Sequence, residues 1–191
     1  MNMLTDSHDA VTADWAAALL DFWFNKVGEQ RWWTHDVDLD RQCATRFATL
    51  WEEKRLLASE VFLNRADDAL AAVLLFDQLP RNMFRGTAKA YTTDELARAV
   101  TRGAIAHGYD IQIGGAGRLF FYMPFQHSED LEDQKLSLSL LEAAGDSRSL
   151  EFARDHHDMI ERFGRFPHRN AVLGRKTLPE EQEAARQAEN W

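Results

Sequence analysis

The sequence predicts an all-α protein, with about seven to nine helices stacked as antiparallel helical pairs. Apolar residues recur at helical spacing in almost every clear segment, and strand-like alternation of apolar and polar residues is nearly absent. Three prolines add a second observation. Pro80, Pro124 and Pro167 each follow an apolar segment and lie 44 and 43 residues apart, a spacing typical of helical-pair repeats of about 34 to 47 residues.

The composition indicates one domain and excludes several classes of partner. The chain has 191 residues, 45% of them hydrophobic, which is enough for a single core. Its net charge of −9 argues against nucleic acid or a membrane as partner. Cys43 is the only cysteine in the sequence, which excludes a disulfide framework. Because no secretory signal is recognisable, we expect a cytoplasmic protein with a flexible lead-in at residues 1–10 and one domain at residues 11–191.

Two helices are expected before residue 55. Thr12 can cap the first and Asp36 the second. Large apolar residues at helical spacing form their buried faces: Trp15, Leu19, Phe22 and Trp23 in the first, and Cys43, Phe47, Leu50 and Trp51 in the second. Cys43 is therefore expected to be a core residue rather than a nucleophile. Trp32 and Trp33, between the two helices, could belong to the core or wall a binding site.

The middle of the chain predicts a central helix and a well-capped one. Residues 66–78 are apolar nearly all round, which predicts a buried helix that ends before Pro80. Thr92 and Glu95 form a capping box for the next helix, which should end at Gly108.

The glycine-rich stretch at residues 108–117 is expected to be a strand or a loop. Its glycines do not have the spacing of a dinucleotide-binding motif, so no such site is expected. Residues 119–123 form a short apolar segment that should end before Pro124.

Three further helix starts are predicted in the last third of the chain. Ser128 can cap a helix whose first turn is acidic. Ser147 or Ser149 can begin the next one. Thr177 and Glu180 form another capping box, for a mostly solvated final helix that runs toward Trp191.

Most of the polar chemistry falls in three connectors, at residues 77–85, 122–134 and 161–176. The first and third share an Arg-Asn pair just after a proline, Arg81-Asn82 and Arg169-Asn170. Equivalent connectors of a helical repeat lie on the same edge of the stack. We therefore expect the third connector beside the other two, with Arg165, His168 and Arg169 near Glu129 or Asp130 and near Arg81.

The residues expected to contact a ligand come from these connectors: Asp77, Arg81, Asn82, Arg85, Tyr122, His127, Glu129, Asp130, Arg165, His168, Arg169 and Asn170. One interpretation is structural, with the arginines pairing to the carboxylates and locking the connectors together. The other is a ligand site, in which arginine forks hold a carboxylate or phosphate. Two histidines could then transfer protons, with Glu129 or Asp130 as orienting group or base. The candidate catalytic residues are His127, His168 and Glu129.

No cofactor and no functional metal are expected. His156 and His157 are adjacent and so lie on different sides of a helix, and neither H-E-x-x-H nor E-x-x-H occurs. His127 with an acidic neighbour and His168 could form a metal site only if the tertiary structure brings them together. His157-Asp158 resembles part of a metal phosphohydrolase motif, but two residues carry little weight.

At the connectors the chain resembles the bacterial family called domain of unknown function 924. The resemblance runs from about residue 20 to residue 177, in the segments DFWF, WW, LFDQLPRNMFRGT, FFYMPFQHSEDLEDQ and ERFGRFPHRNAVLGR. It implies a TPR-like all-α fold, and it implies no activity because the family has no established biochemistry. Gln126 stands where the family commonly has an acidic residue, which weakens any role for a carboxylate there. His156 falls at a family position, whereas His157 does not obviously do so.

Two functions fit these observations. The first is a polar pocket that binds a small anionic molecule and could be catalytic. The alternative is a TPR-like adaptor, without enzymatic activity, that binds an acidic peptide segment. Connectors that converge on one spot would favour the small molecule, whereas connectors spread along an open groove would favour the adaptor.

Overall fold

The computed structural model describes residues 15–187, and within that range every regular element is helical. The all-α prediction is confirmed, whereas the TPR-like stacking of the helices stays a prediction. The expected lead-in at residues 1–10, the Thr12 cap and the approach to Trp191 lie outside the described residues. Within the described part of the chain, no helix has both the length and the apolar character needed to cross a bilayer.

The helices are labelled in chain order. Helix α1 covers residues 15–27, with a π-helical stretch at Asp21–Val27, and α4 covers residues 66–83, with a π-helical stretch at Leu74–Gln78. The others are α2 (Glu29–Trp32), α3 (Val37–Lys54), α5 (Asp94–Ala106), α6 (Tyr109–Ile113), α7 (Gly115–Gln126), α8 (Leu131–Ala144), α9 (Ser147–Phe163) and α10 (Gln182–Gln187). Short 3-10 turns lie at Ser59–Phe62, Ala88–Tyr91, Pro167–Arg169 and Pro179–Glu181.

Helix α4 is the centre of the fold, and it continues past the point where the sequence predicts its end. Pro80 lacks the N–H that would bond the Phe76 carbonyl four residues earlier. The Thr93 hydroxyl donates to that carbonyl instead, at 2.7 Å, and the π-helical stretch ahead of Pro80 adjusts the helix register. The helix therefore runs on to Met83, so that Asp77 and Arg81 stand one turn apart on the same face.

The region predicted as strand or loop is helical. Residues 108–117 contain α6 and the start of α7, which are separated by Gly114 at a φ of 64°. Residues 119–123 lie inside α7, whose last turn includes Pro124. The glycines in this stretch predict a loop, but tertiary packing favours a helix instead. Gly117 lies so close to Ile113 and Leu70 that a larger side chain would not fit there.

Helix caps were predicted with mixed success. Asp36 caps α3, as predicted, by accepting from the backbone N–H groups of residues 38 and 39. Asp130 rather than Ser128 caps α8, and Asp146 rather than either serine caps α9. The final helical segment uses Glu181, which accepts from the Leu178 backbone N–H at 2.8 Å, rather than a box of residues 177 and 180. A carboxylate accepts more strongly than a hydroxyl, which accounts for the preference for Asp and Glu.

The apolar core surrounds α4 and contains a cluster of aromatic rings. Residues 69–76 are buried without interruption, and Cys43 is buried against them, as predicted. Phe120 of α7 lies at the centre of the rings, in contact with those of Trp23, Phe24, Trp32 and Trp33. The two adjacent tryptophans therefore belong to this aromatic packing.

Replacing Phe120 with alanine should destabilise the protein by about 3–5 kcal/mol, because it empties the centre of the aromatic cluster. Denaturant unfolding followed by far-UV circular dichroism would measure the loss. Trp33→Ala is the matched control: it removes a ring of the same cluster that is 52% exposed, so its cost should be clearly smaller. Equal losses for the two variants would contradict this assignment of the core.

Candidate functional site

The structure brings charged side chains from five segments together at one end of α4. They come from α4 itself, from the start of α5 and the turn before it, from the connector between α7 and α8, from α9 and from the Pro167–Arg169 turn. We call this group the polar cluster, and its members are Asp77, Arg81, Tyr91, Asp94, His127, His156, His168 and Arg169.

Asp77 is the deepest member of the polar cluster and is completely buried. Its carboxylate lies 2.8 and 3.0 Å from Nδ1 of His127. It also accepts from Nε2 of Gln78 at 2.5 Å and lies 3.3 Å from Nη1 of Arg81. Burial alone would raise the pKa of Asp77, but the charge of Arg81 and the hydrogen bonds from His127 and Gln78 outweigh it and lower that pKa. The carboxyl group is therefore ionised and can only accept hydrogen bonds.

The ionised Asp77 determines the tautomer of His127. Because the carboxylate can only accept, the Nδ1 atom of His127 carries the hydrogen and donates it. Burial, together with the positive charges of Arg81 and Arg169, lowers the pKa of His127 although Asp77 opposes the shift. The ring is thus neutral near pH 7, with a lone pair on Nε2. That atom has no hydrogen-bond partner among residues 15–187, and the side chain is 12% exposed.

The two arginines of the cluster differ in how completely they are paired. Arg81 forms two parallel hydrogen bonds with the Asp94 carboxylate, at 3.1 and 3.2 Å, and also donates to the Asp77 carbonyl. Arg169 is only 6% exposed, donates from Nη1 to the His127 carbonyl at 2.9 Å and lies 3.9 Å from Asp94. Its Nε is buried with no hydrogen-bond partner among the described residues.

Aromatic rings enclose the Arg169 guanidinium. Its Cζ lies 4.3 Å from the centre of the Phe166 ring and 4.8 Å from that of Tyr91. Burial, followed by the nearby charge of Arg81, lowers the pKa of Arg169 to about 10. The group remains charged at neutral pH, and rings stabilise a cation only in part. The structure thus holds a buried cation with unused hydrogen-bonding capacity.

Two further imidazoles line the cluster and are partly exposed. The His156 ring lies 6.2 Å from that of His127 and 5.5 Å from that of Phe166, whose ring is 5.6 Å from that of His168. His156 places Nδ1 2.8 Å from the Phe152 carbonyl. Burial is the main cause that lowers the pKa of His156 to about 3 and that of His168 to about 4. Both rings are neutral at physiological pH.

Glu129, predicted as a possible base, instead anchors the third connector. Arg175 donates to its carboxylate at 2.7 and 2.9 Å, and the Phe166 backbone N–H donates at 2.8 Å. Burial would raise the pKa of Glu129, but these donors lower it. Asp77, not Glu129 or Asp130, is therefore the carboxylate that orients an imidazole.

As expected from the sequence, Arg169 lies near Arg81, because both guanidinium groups approach the Asp94 carboxylate, at 3.9 and 3.1 Å. The charge of Glu129 acts on the pKa of His168 and on that of Arg169. The other predicted residues are engaged elsewhere. Asn82 and Arg85 donate to Asp40, Tyr122 donates to Asp110 and accepts from Arg118, Asp130 caps α8, and Arg165 and Asn170 donate to Glu181. For these six residues the structural interpretation describes the contacts that the structure shows.

Sequence reasoning missed several residues of the site. Asp94 and Tyr91 lie where the sequence shows only a helix start, and nothing local marks them as partners of an arginine. His156 lies seven residues before Phe163 on a helix face that carries no other signal of a site. Arg175 and Glu181 lay within or near the third connector, but their partners could not be chosen without the tertiary structure.

The structure offers little support for a metal in the polar cluster. The carboxylates proposed to join His127 and His168 are turned to other partners, Glu129 to Arg175 and Asp130 to the start of α8. Elsewhere in the described residues, ligand atoms of His157, Asp158 and Glu161 converge within 4.8 Å on the surface of α9. Exposed acidic groups often converge in this way without an ion.

Two cavities formed by the described residues lie away from the polar cluster. One of about 280 Å³ is bordered by Arg65 and Tyr109, and another of about 350 Å³ by Glu29, Trp33 and Arg148. Within the polar cluster, Asp77 and Arg169 are buried, whereas Arg81 and the three imidazoles are partly exposed and form its open edge.

The C-terminal segment should loosen in acid through Glu181. Hydrogen bonds from Arg165, the Leu178 backbone and Asn170 lower the pKa of this buried carboxyl to about 2. Its folded pKa is below the unfolded value of about 4.3, so its contribution to stability is complete above that value and is lost as pH falls toward 2. Urea unfolding should show Glu181→Gln less stable than wild type at neutral pH, with a gap that closes on acidification.

The matched control for this prediction is Glu183→Gln, which removes an exposed carboxylate paired with Arg186. That variant should differ little from wild type at any pH. A gap for Glu181→Gln that stays constant from neutral pH to about pH 3 would contradict the assignment.

Comparisons with known proteins identify a solved structure with the same fold and the family to which the chain belongs. A protein of unknown function from Agrobacterium tumefaciens, ATU0120, has a solved structure that aligns with a TM-score of 0.85 at 40% sequence identity, covering 93% of this chain and 99% of the other. Comparison with curated proteins gives no match. The profile of DUF924, described as a bacterial protein of unknown function, matches residues 19–189. The chain therefore belongs to the DUF924 family.

Proposed function

We propose that the polar cluster binds a small anionic molecule. The observation that carries this proposal is Arg169, which is only 6% exposed and whose guanidinium is only partly paired. A buried charge is costly unless it is paired and hydrogen-bonded. An anion at the open edge of the cluster would place a compensating negative charge beside this guanidinium, and guanidinium groups recognise carboxylate and phosphate oxygens well.

The arrangement of the connectors supports this proposal over the adaptor. An adaptor for an acidic peptide needs free cations along a groove, whereas most arginines of the connectors are already paired. Arg85 is held by Asp40, Arg165 by Glu181 and Arg175 by Glu129. The histidines and the incompletely paired Arg169 instead gather at one spot, which suits a compact ligand.

His127 is the residue in this site best suited to proton transfer, so the proposal includes acid–base chemistry on the bound molecule. Its Nε2 lone pair faces no protein partner among residues 15–187, while Asp77 holds the opposite side of the ring. An imidazole held in this way can act as a general base or acid toward a bound molecule. Of the other candidates from the sequence, Glu129 is occupied by Arg175, and burial lowers the pKa of His168 to about 4.

Binding of anions should depend on Arg169. Thermal-shift and calorimetric titration with inorganic phosphate, sulfate and malonate would show whether any of them stabilises the folded protein. We expect Arg169→Met to weaken the binding of the best anion by about tenfold or more, because it removes the buried donor fork. We expect the variant to lose little stability without ligand, since it also removes a buried and incompletely paired charge.

The control is Arg154→Met, which removes the same charge from an exposed position on α9 and should leave binding unchanged. Arg169→Lys keeps the charge and loses the fork, so it should bind less tightly than wild type and more tightly than Arg169→Met. The proposal fails if no anion stabilises the protein, or if Arg169→Met binds as wild type does.

A further inference from the structure

The fixed charges of the polar cluster cancel before any ligand arrives. Arg81 and Arg169 are balanced by Asp77 and Asp94, and next to them Glu129 is paired with Arg175. An anion that enters such a site therefore leaves the cluster with an excess of negative charge, although Arg169 still has a donor to offer. Histidine is the side chain that can gain a positive charge near neutral pH. The charge balance thus suggests that a proton enters with the anion.

Of the three imidazoles in the cluster, His127 is the one that is built to hold that proton. A buried carboxylate lies 2.8 and 3.0 Å from its Nδ1, so an imidazolium there would form a short ion pair with Asp77. His156 instead turns Nδ1 toward the Phe152 carbonyl, and burial lowers the pKa of His156 to about 3 and that of His168 to about 4. These two rings are much harder to protonate.

The same arginines that would bind the anion keep His127 neutral when the site is empty. Arg81 and Arg169 both act to lower the pKa of His127, after burial itself. The Arg169 guanidinium is bonded to the carbonyl oxygen of His127, so the two residues are direct neighbours. An anion on Arg169 would offset these positive charges, while Asp77 and the anion together would favour the imidazolium. Anion binding and protonation should therefore reinforce each other.

The groups that an anion could contact stand on different segments, which favours a tetrahedral ligand. Arg169, on the Pro167–Arg169 turn, has a buried Nε without a hydrogen-bond partner among residues 15–187, and His127, in the connector after α7, has Nδ1 engaged by Asp77 and Nε2 left over. A planar carboxylate is satisfied by one guanidinium fork, whereas the oxygens of a phosphate point in several directions, so that one could face Arg169 and another Nε2 of His127.

Resting on the anion site proposed above, we infer that the polar cluster takes up a phosphate-class dianion together with one proton, held on Nε2 of His127 and stabilised through Nδ1 by Asp77. His127 then donates from Nε2 to a ligand oxygen, which is the position of a general acid. Asp77 does not touch the ligand and acts as a positioning residue. Free phosphate and a phosphate monoester share this chemistry.

Nuclear magnetic resonance titration of the histidine Cε1–H signals tests the inference directly. The His127 signal is assigned by its absence in His127→Gln, and its pKa is measured with and without saturating inorganic phosphate. We expect phosphate to raise the pKa of His127 by at least about one unit, which by reciprocity corresponds to about tenfold tighter binding by the protonated site. The Cε1–H signal of the exposed His107 should not respond to phosphate.

Asp77→Asn distinguishes a positioning role of Asp77 from a purely structural one, which would leave the pKa of His127 unchanged. With phosphate bound, the pKa of His127 in this variant should lie at least about one unit below the wild-type value, because the imidazolium has lost its carboxylate. Unchanged signals from the aromatic cluster would show that the variant is folded. If the variant does not fold, the wild-type titration still decides the inference.

Each outcome has a separate meaning. If phosphate binds and the pKa of His127 stays unchanged, the inference is wrong and the proposed anion site stands. If neither phosphate, sulfate nor malonate binds, the proposed function fails and the inference fails with it. Malonate carries the same double charge on planar groups, so an equal rise in pKa with malonate would overturn the phosphate class. Tighter binding of phenyl phosphate than of inorganic phosphate would support a monoester as the ligand, and the reverse order would support free phosphate.

Discussion

The buried carboxylate of Asp77 is the constraint around which the polar half of this molecule is built. A fully buried ionised group is stable only when its lone pairs and its charge are satisfied. Gln78, Arg81 and His127 meet that requirement from two different parts of the chain. Arg81 in turn needs Asp94, which fixes the start of α5. One buried charge thus determines how the central helix meets α5 and the connector after α7.

The central helix can present Asp77 and Arg81 together only because it does not end at Pro80. The carbonyl that loses its partner at the proline is bonded by Thr93, whose hydroxyl also accepts from the Trp51 indole at 3.3 Å. The same residue therefore repairs the helix and links it to α3 and α5. The fold and the site are supported by shared contacts, so neither can be altered alone.

The sequence was sufficient for the fold class and for part of the site. Helical periodicity is a local signal, and it identified the buried faces of α3 and α4, including Cys43. It failed at residues 108–117, where glycines suggested a loop but close packing of Gly117 against Leu70 requires a small residue in a helix. It also placed the end of α4 too early, because the hydroxyl that rescues Pro80 comes from a residue 17 positions from Phe76. Such partners are set by tertiary contacts, which local patterns do not contain.

The site shows the same division. The Arg-Asn pair that follows a proline in both the first and the third connector predicted that Arg81, His168 and Arg169 lie in one region, and the structure places them there. Which carboxylate serves which cation was not readable, because the sequence offers many acids and the pairs span long separations. In the structure, Arg85 and Asn82 donate to Asp40. Arg165 donates to Glu181, and Arg81 donates to Asp94. Residue types could be predicted from the sequence, but their pairing could not.

The contact between Asp77 and His127 also bears on how the chain reaches its native state. These residues are 50 positions apart, and Arg175 meets Glu129 across 46 more. Closing such long loops loses conformational entropy before the contacts form and offset that loss. If α4 formed and was buried early, Asp77 would lie in an apolar environment without His127, which comes from the second half of the chain. Burial of α4 and arrival of the later connectors are therefore expected to be concerted, so that the polar cluster exists only in a chain that has finished folding.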